Sequence, residues 1–213
     1  MATECTHLRK AYRRARLLLV GCATLAACAQ EPVDQTQREA PVVLPKNVPP
    51  LKDYGGIGGA FALQDQRGET FQLAQLDGRP AMLFFGYTYC PDICPVTLSK
   101  MARVYELLGI EPRDLQTIFI TVDPERDTRE KLAEYLSYFQ VDVIGLTGTR
   151  EEIDAVVRQY GGHYALNKED GKSEYFVDHS TYTYLIDGQG RVCFLFRHND
   201  EPEYMAAVAR QLF

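Results

Sequence analysis

Two cysteines stand four residues apart in the stretch Phe84-Phe85-Gly86-Tyr87-Thr88-Tyr89-Cys90-Pro91-Asp92-Ile93-Cys94-Pro95, and a proline follows each of them. Thiols this close can form a redox disulfide, clasp a soft metal ion, or supply a peroxide-reducing nucleophile. Spacing separates these uses. Thioredoxin-type oxidoreductases use Cys-x-x-Cys, whereas here Pro91, Asp92 and Ile93 intervene and open the bite. Two thiolates on a wider bite suit copper(I), which is satisfied by few soft ligands, typically sulfur with one imidazole; zinc normally asks for four ligands.

A nitrogen donor has to come from elsewhere in the chain. His163 follows Gly161-Gly162 and reads as a loop residue, while His198 stands beside Asn199 and Asp200 and reads as solvated. His179, in Val177-Asp178-His179-Ser180-Thr181, is the foremost candidate. It precedes the strand that begins at Tyr182, and Asp178 beside it offers a carboxylate able to orient the ring. A further cysteine, Cys193, lies in Arg-Val-Cys-Phe-Leu-Phe-Arg, apolar on both alternating faces, and reads as a core residue.

The elements that must position these groups alternate between strand and helix. A hairpin is expected from Phe61-Ala62-Leu63 and Thr70–Leu73 around Asp65–Gly68. Ala81 to Tyr87 is nearly all apolar, the signature of a strand buried on both faces. A helix follows, carrying Leu98, Met101, Ala102, Tyr105 and Leu108 on one side, and then Leu115 to Val122 reads as the next buried strand. Asp127-Thr-Arg-Glu130 has the form of a capping box opening a helix through Phe139, and Thr149-Arg-Glu-Glu152 repeats the device. Val143–Leu146 is a short strand between them. Tyr182–Ile186 and Val192–Phe196 bracket the turn Asp187–Gly190, and Asp200-Glu-Pro-Glu203 opens a last helix. This order predicts an α/β fold: a thioredoxin-like layered sheet with flanking helices and β-hairpin additions.

Within that frame Pro95 disfavours a helical backbone at Cys94 and suits a first helical turn, so both thiols are expected in the loop at a helix N-terminus. The positive end of the helix favours thiolates there. The preceding strand delivers the loop to the carboxyl edge of the sheet, where open α/β folds place their sites.

The N-terminus sets the compartment. Arg9, Lys10, Arg13, Arg14 and Arg16 precede an apolar run, Leu17 to Ala27, too short to span a bilayer, which reads as a signal peptide over residues 1–27. Its end, Leu25-Ala26-Ala27-Cys28, resembles a bacterial lipobox, in which the cysteine is lipidated and becomes the first mature residue. Cys22 fits the same pattern but leaves only Leu17 to Gly21 as hydrophobic core. Ordinary cleavage near Ala27 without a lipid is the plainer alternative. Removal takes five of 23 basic residues and Glu4 of the 29 acidic ones, leaving 18 against 28 and a net charge of −10. Nucleic acid is therefore not an expected partner. Residues 28–52, with Pro32, Pro41, Pro45, Pro49 and Pro50, read as a tether that would reach about 70 Å if fully extended. Residues 53–213 have single-domain length.

Three motifs in order, the Phe84–Pro95 stretch, Val122-Asp123-Pro124-Glu125-Arg126-Asp127-Thr128 and Val177-Asp178-His179-Ser180, resemble the Sco/SenC family of copper proteins. The resemblance covers essentially the whole domain. It implies a thioredoxin-like fold and one copper ion, Cu(I) or Cu(II), held by two cysteines and a histidine that fall on Cys90, Cys94 and His179. It also implies work on the dinuclear copper A centre of cytochrome c oxidase, by handing copper to the subunit that carries it, by reducing that subunit's cysteines, or both. On this reading the chain is a metallochaperone and not an enzyme in the ordinary sense, and its upstream copper donor is not named by the sequence. A metal-independent thiol:disulfide reductase is the rival reading. Asp123 falls in a family motif, either near the site or simply as the turn Asp123-Pro124 before a helix. Members with a full membrane helix differ from this chain at the N-terminus. Anchorage to a membrane of the bacterial envelope, with the domain facing the periplasm or exterior, therefore rests on Cys28.

Overall fold

The apolar run forms β3 (Ala81–Gly86), every residue of which is buried, and it pairs in parallel with an equally buried β4 (Gln116–Thr121). In the computed structural model, which describes residues 43–168 and 175–213, these two strands are the centre of a seven-stranded sheet. Strand β5 (Val143–Thr147) continues the parallel core beside β4. The hairpin of β1 (Ala62–Asp65) and β2 (Thr70–Gln72) extends the sheet antiparallel from β5. Beyond β3, β8 (Thr183–Ile186) and β9 (Val192–Phe196) close the other side, also antiparallel. The order is β2-β1-β5-β4-β3-β8-β9. Among the described residues, four α-helices flank it: α1 (Ile93–Leu108), α2 (Arg129–Leu136), α3 (Arg150–Gln159) and α4 (Pro202–Ala209). This is the expected thioredoxin-like layered arrangement. Among the described residues, no helix is long and apolar enough to cross a membrane.

Four expectations change. The signal peptide, Cys28 and most of the tether lie outside the described residues, but the tether's last part belongs to the domain. Leu44, Val48 and Leu51 pack against the core, and Gln211 Nε2 donates to the Pro49 carbonyl at 3.0 Å. Burial of three apolar side chains outweighs the extended bias of the prolines between them.

Helix α1 starts at Ile93 rather than Pro95, so only Cys90 lies in the loop, while Cys94 sits inside the first turn. Proline is accommodated there because the first-turn N–H groups have no intrahelical acceptor to lose.

Asp127 does not cap α2. Thr128 does, accepting from the Lys131 N–H, and the helix ends at Leu136. Asp127 is instead fully buried, accepting from Thr88 N–H at 2.9 Å, Thr88 Oγ1 at 2.6 Å and Thr121 Oγ1 at 2.6 Å. It ties the cysteine loop to the end of β4. By contrast the Thr149–Glu152 capping box is formed as expected.

The fourth change matters most for the site: a separate two-stranded hairpin, β6 (Tyr164–Asn167) with β7 (Phe176–His179), lies outside the main sheet, and His179 is its last residue.

Candidate metal centre

Strand β3 ends at Gly86, where a side chain has no room: a methyl group would lie 2.8 Å from Cys94 Sγ and 2.7 Å from Phe119. The chain then runs through Tyr87 and Thr88 to Cys90, half-buried in the loop. Both cysteines of the pair are free thiols. Cys94 is completely buried, and its backbone N–H points at Cys90 Sγ, 3.4 Å away. On the far side the β7 hairpin brings His179 Nε2 to 3.7 Å from Cys94 Sγ. The three potential donor atoms, two sulfurs and one imidazole nitrogen, lie within 4.8 Å of one another.

The two thiols are electrostatically unlike. Hydrogen bonding from the Cys94 thiol is the largest effect lowering the Cys90 pKa, to about 4; contacts from His179 and from the backbone of Asp92 and Cys94 add to it, against burial. Burial drives Cys94 strongly upward, and the neighbouring Cys90 sulfur pushes it further. The resting pair is therefore one thiolate and one thiol. In reduced, metal-free protein we expect a single fast equivalent of alkylation, at Cys90. Its rate should stay level as the pH falls from about 8 to about 5 and halve near 4, because only the thiolate attacks. A rate that climbs with an ordinary thiol pKa near 8.5 would contradict the assignment. The linked stability has a definite sign. Cys90, with its folded pKa lowered, stabilises fully above about 8.5 and loses that contribution as the pH falls through 4; raised Cys94 contributes below about 8.5 and loses it as the pH rises.

His179 is oriented by its neighbour's backbone and not by Asp178. Its Nδ1 lies 3.0 Å from the Ser180 carbonyl, which can only accept, so Nδ1 carries a proton and Nε2 is the nitrogen turned to the sulfurs. Asp178 points to the opposite face of the strand, as alternation demands, and accepts from Asn167 Nδ2 at 2.7 Å across the hairpin. The ring stands edge-on to Phe84 and Tyr87, with centroids 5.9 and 5.8 Å away.

The other sequence candidates sit elsewhere. His163 Nδ1 meets Ser180 Oγ at 2.9 Å, and the Ser180 N–H donates to the His163 carbonyl at 2.9 Å, so His163 fastens the His179 segment without joining the cluster. His198 belongs to an exposed turn whose carbonyl accepts from Lys100. Cys193 is buried in β9, its thiol 3.4 Å from the Leu185 carbonyl and pushed up to about 11 by burial. Asp123 is fully buried and paired with Arg126, with Arg150 Nη2 at 3.9 Å. Sequence reasoning gave no role to Arg126, Arg150, Tyr175 or Ser180, because nothing in a single arginine, tyrosine or serine signals a long-range contact.

This donor set fits a soft monovalent ion. One sulfur is already ionised, the imidazole turns its Nε2 inward, and among the described residues no fourth histidine, cysteine or carboxylate joins the cluster, as zinc would require. Fold and site together define a thioredoxin-like domain whose dithiol has been widened and completed by an imidazole.

The family model described as SCO1/SenC matches residues 51–213. A SCO2-like protein of Rickettsia felis is 43% identical over 153 residues, which cover 71% of this chain and 75% of that protein. Among solved structures, Bradyrhizobium japonicum ScoI with copper bound superposes with a TM-score of 0.67 at 37% identity, over 74% of this chain and 99% of that one. A SCO1/SenC family lipoprotein of Bacillus anthracis gives 0.64 at 26% identity, over 76% and 97%. The chain belongs to the SCO1/SenC family.

Proposed function

We propose that the protein is a copper metallochaperone, taking one copper ion on Cys90, Cys94 and His179 and serving the assembly of the copper A centre of cytochrome c oxidase. The observation that carries this reading is the convergence of three donor atoms within 4.8 Å from a loop, a helix and a separate hairpin. The copper-bound state of Bradyrhizobium japonicum ScoI supports it. The partner is the oxidase subunit carrying that centre. The protein is not an enzyme in the ordinary sense.

The test is copper content per chain after anaerobic loading, with and without prior oxidation. We expect one equivalent on the dithiol and none on the disulfide, since a disulfide sulfur is a poor ligand compared with a thiolate. Stoichiometric, tightly held copper on fully oxidised protein, verified by thiol counting, would refute the redox gate.

One observation favours the second reading, a metal-independent thiol:disulfide reductase acting on the same target. An ionised, accessible Cys90 beside a buried, protonated Cys94 is the asymmetry of an attacking and a resolving thiol.

We place the domain at a membrane of the bacterial envelope, held by a lipid on Cys28. The lipobox pattern supports this, as does the lipoprotein character of the Bacillus anthracis relative. Metabolic labelling of the full chain with a radioactive fatty acid should be lost in Cys28→Ser; persisting label would point to Cys22.

A further inference from the structure

Among the described residues the hairpin carrying His179 pairs only with itself, so no backbone ladder of the main sheet sets its position. Buried Val177 seats it on the core, and directional contacts must fix its place against the cysteines. Each of its strands is gripped by one arginine, and both arginines converge on the turn Asp123-Pro124-Glu125-Arg126 that follows β4.

On the β7 side, Arg126 Nη1 donates to the Tyr175 carbonyl at 2.9 Å, and the Tyr175 hydroxyl donates back to Asp123 Oδ1 at 2.7 Å. The Arg126 guanidinium lies 3.5 Å from the centroid of the Tyr175 ring and pairs through Nε with Asp123. On the β6 side, Arg150 Nη1 donates to the Tyr164 hydroxyl at 2.8 Å and to the Val122 carbonyl at 2.8 Å, while its other nitrogens pair with Glu125. Tyr164 is the residue directly opposite His179 in the hairpin register. A third link is aromatic: Arg126 lies 5.7 Å from the Tyr87 ring, against which the His179 ring stands edge-on.

We infer that this turn is a clamp for the metal site, in which Asp123, Arg126, Arg150 and Tyr175 are positioning residues that hold His179 Nε2 at the dithiol. The inference rests on the reading of His179 as a ligand. Asp123 is the hub: fully buried, it balances Arg126 and receives Tyr175. The Arg126 guanidinium is also held by aromatic faces, lying 4.8 Å from the Tyr89 ring centroid and 3.5 Å from that of Tyr175, while its Nη2 is buried with no hydrogen-bond partner among the described residues. Lysine could not replace it, because one ammonium cannot meet a carboxylate, a carbonyl and two ring faces at once.

Copper(II) depends on the imidazole far more than copper(I), which two thiolates can hold. A clamp that acts through His179 must therefore show itself as a split between the two oxidation states, where a packing defect would weaken both. The experiment titrates reduced full-length protein anaerobically with copper(I) against a chromophoric chelator, and separately with copper(II) sulfate, following the sulfur-to-copper charge-transfer band and nitrogen couplings by electron paramagnetic resonance. The variants are Arg126→Gln, Arg126→Lys, Tyr175→Phe and Tyr164→Phe, with His179→Ala in parallel. In metal-free protein the imidazole resonances of His179 report its order directly.

For Arg126→Gln we expect copper(II) affinity to fall about 10- to 100-fold, the range for groups that orient a ligand, with copper(I) affinity changed by less than about threefold. The single-conformer imidazole signal should broaden or shift, Arg126→Lys should not rescue, and the two hydroxyl deletions should fall between. A folded Arg126→Gln with wild-type copper(II) spectrum and imidazole signals overturns the clamp. If Arg126→Gln does not fold, unchanged spectra in both Tyr→Phe variants overturn it equally. An unaltered copper(II) spectrum in His179→Ala instead overturns the ligand reading itself, and the clamp falls with it.

Discussion

Replacing Cys94 by serine is expected to lower copper(I) affinity by more than about 100-fold, beyond what is lost when a residue merely orients a ligand. Cys94 is the buried member of the pair, held by the first turn of α1 with its sulfur close over Gly86. Its backbone fixes the sulfur direction, and no neighbouring group can move in to replace it. A hydroxyl there is hard and stays protonated, leaving the ion one thiolate and one imidazole. The fold should survive, because serine is smaller and can keep a hydrogen bond to Cys90; the cost is about 1 kcal/mol. Chelator competition measures the affinity and circular dichroism the fold. Wild-type copper(I) affinity in a folded Cys94→Ser protein would remove Cys94 from the site.

His179→Ala should divide the two oxidation states more sharply than any other change. Copper(II) prefers a tetragonal set with nitrogen or oxygen donors, so its binding and its sulfur-to-copper colour should be lost, again by more than about 100-fold. Copper(I), held by the thiolates, should stay within about tenfold of wild type. The dithiol should still form its disulfide, since neither sulfur has been touched. If copper acts in assembly, cells carrying this variant should fail to mature their oxidase. Normal maturation by a variant shown to have lost copper would favour the reductase.

The residues differ in how far they announced themselves. Strand β3 was legible because a strand buried on both faces can only be apolar, and Ala81 to Tyr87 is nearly so. Cys90 and Cys94 were legible because two prolines at a strand-to-helix corner leave few other uses for a thiol pair. Chemistry alone made His179 no more than the favourite of three histidines; the likeness of Val177-Asp178-His179-Ser180 to a known motif chose it. Its hairpin was missed although the sequence holds one sign of it: Asp170-Gly171, a dipeptide favoured in hairpin turns, stands between β6 and β7. Strands of four residues with half-exposed alternation carry too little pattern on either side to make that sign stand out. Asp127 misled for a definable reason: with Glu130 three residues on, it imitates a capping box, while the adjacent Thr128 does the capping. Asp178 misled by adjacency alone, since neighbours on a strand face opposite ways.

The self-paired hairpin also separates holding from letting go. The Cys94 sulfur belongs to the first turn of α1, buried against the central sheet, and the Cys90 sulfur to the loop that leads into it. The nitrogen belongs to an appendage whose departure breaks no rung of that sheet. Local opening of such a unit costs only a fraction of the global unfolding free energy. On the chaperone reading, a receiving site could therefore compete for the cargo one donor at a time, with the giver remaining folded throughout the exchange.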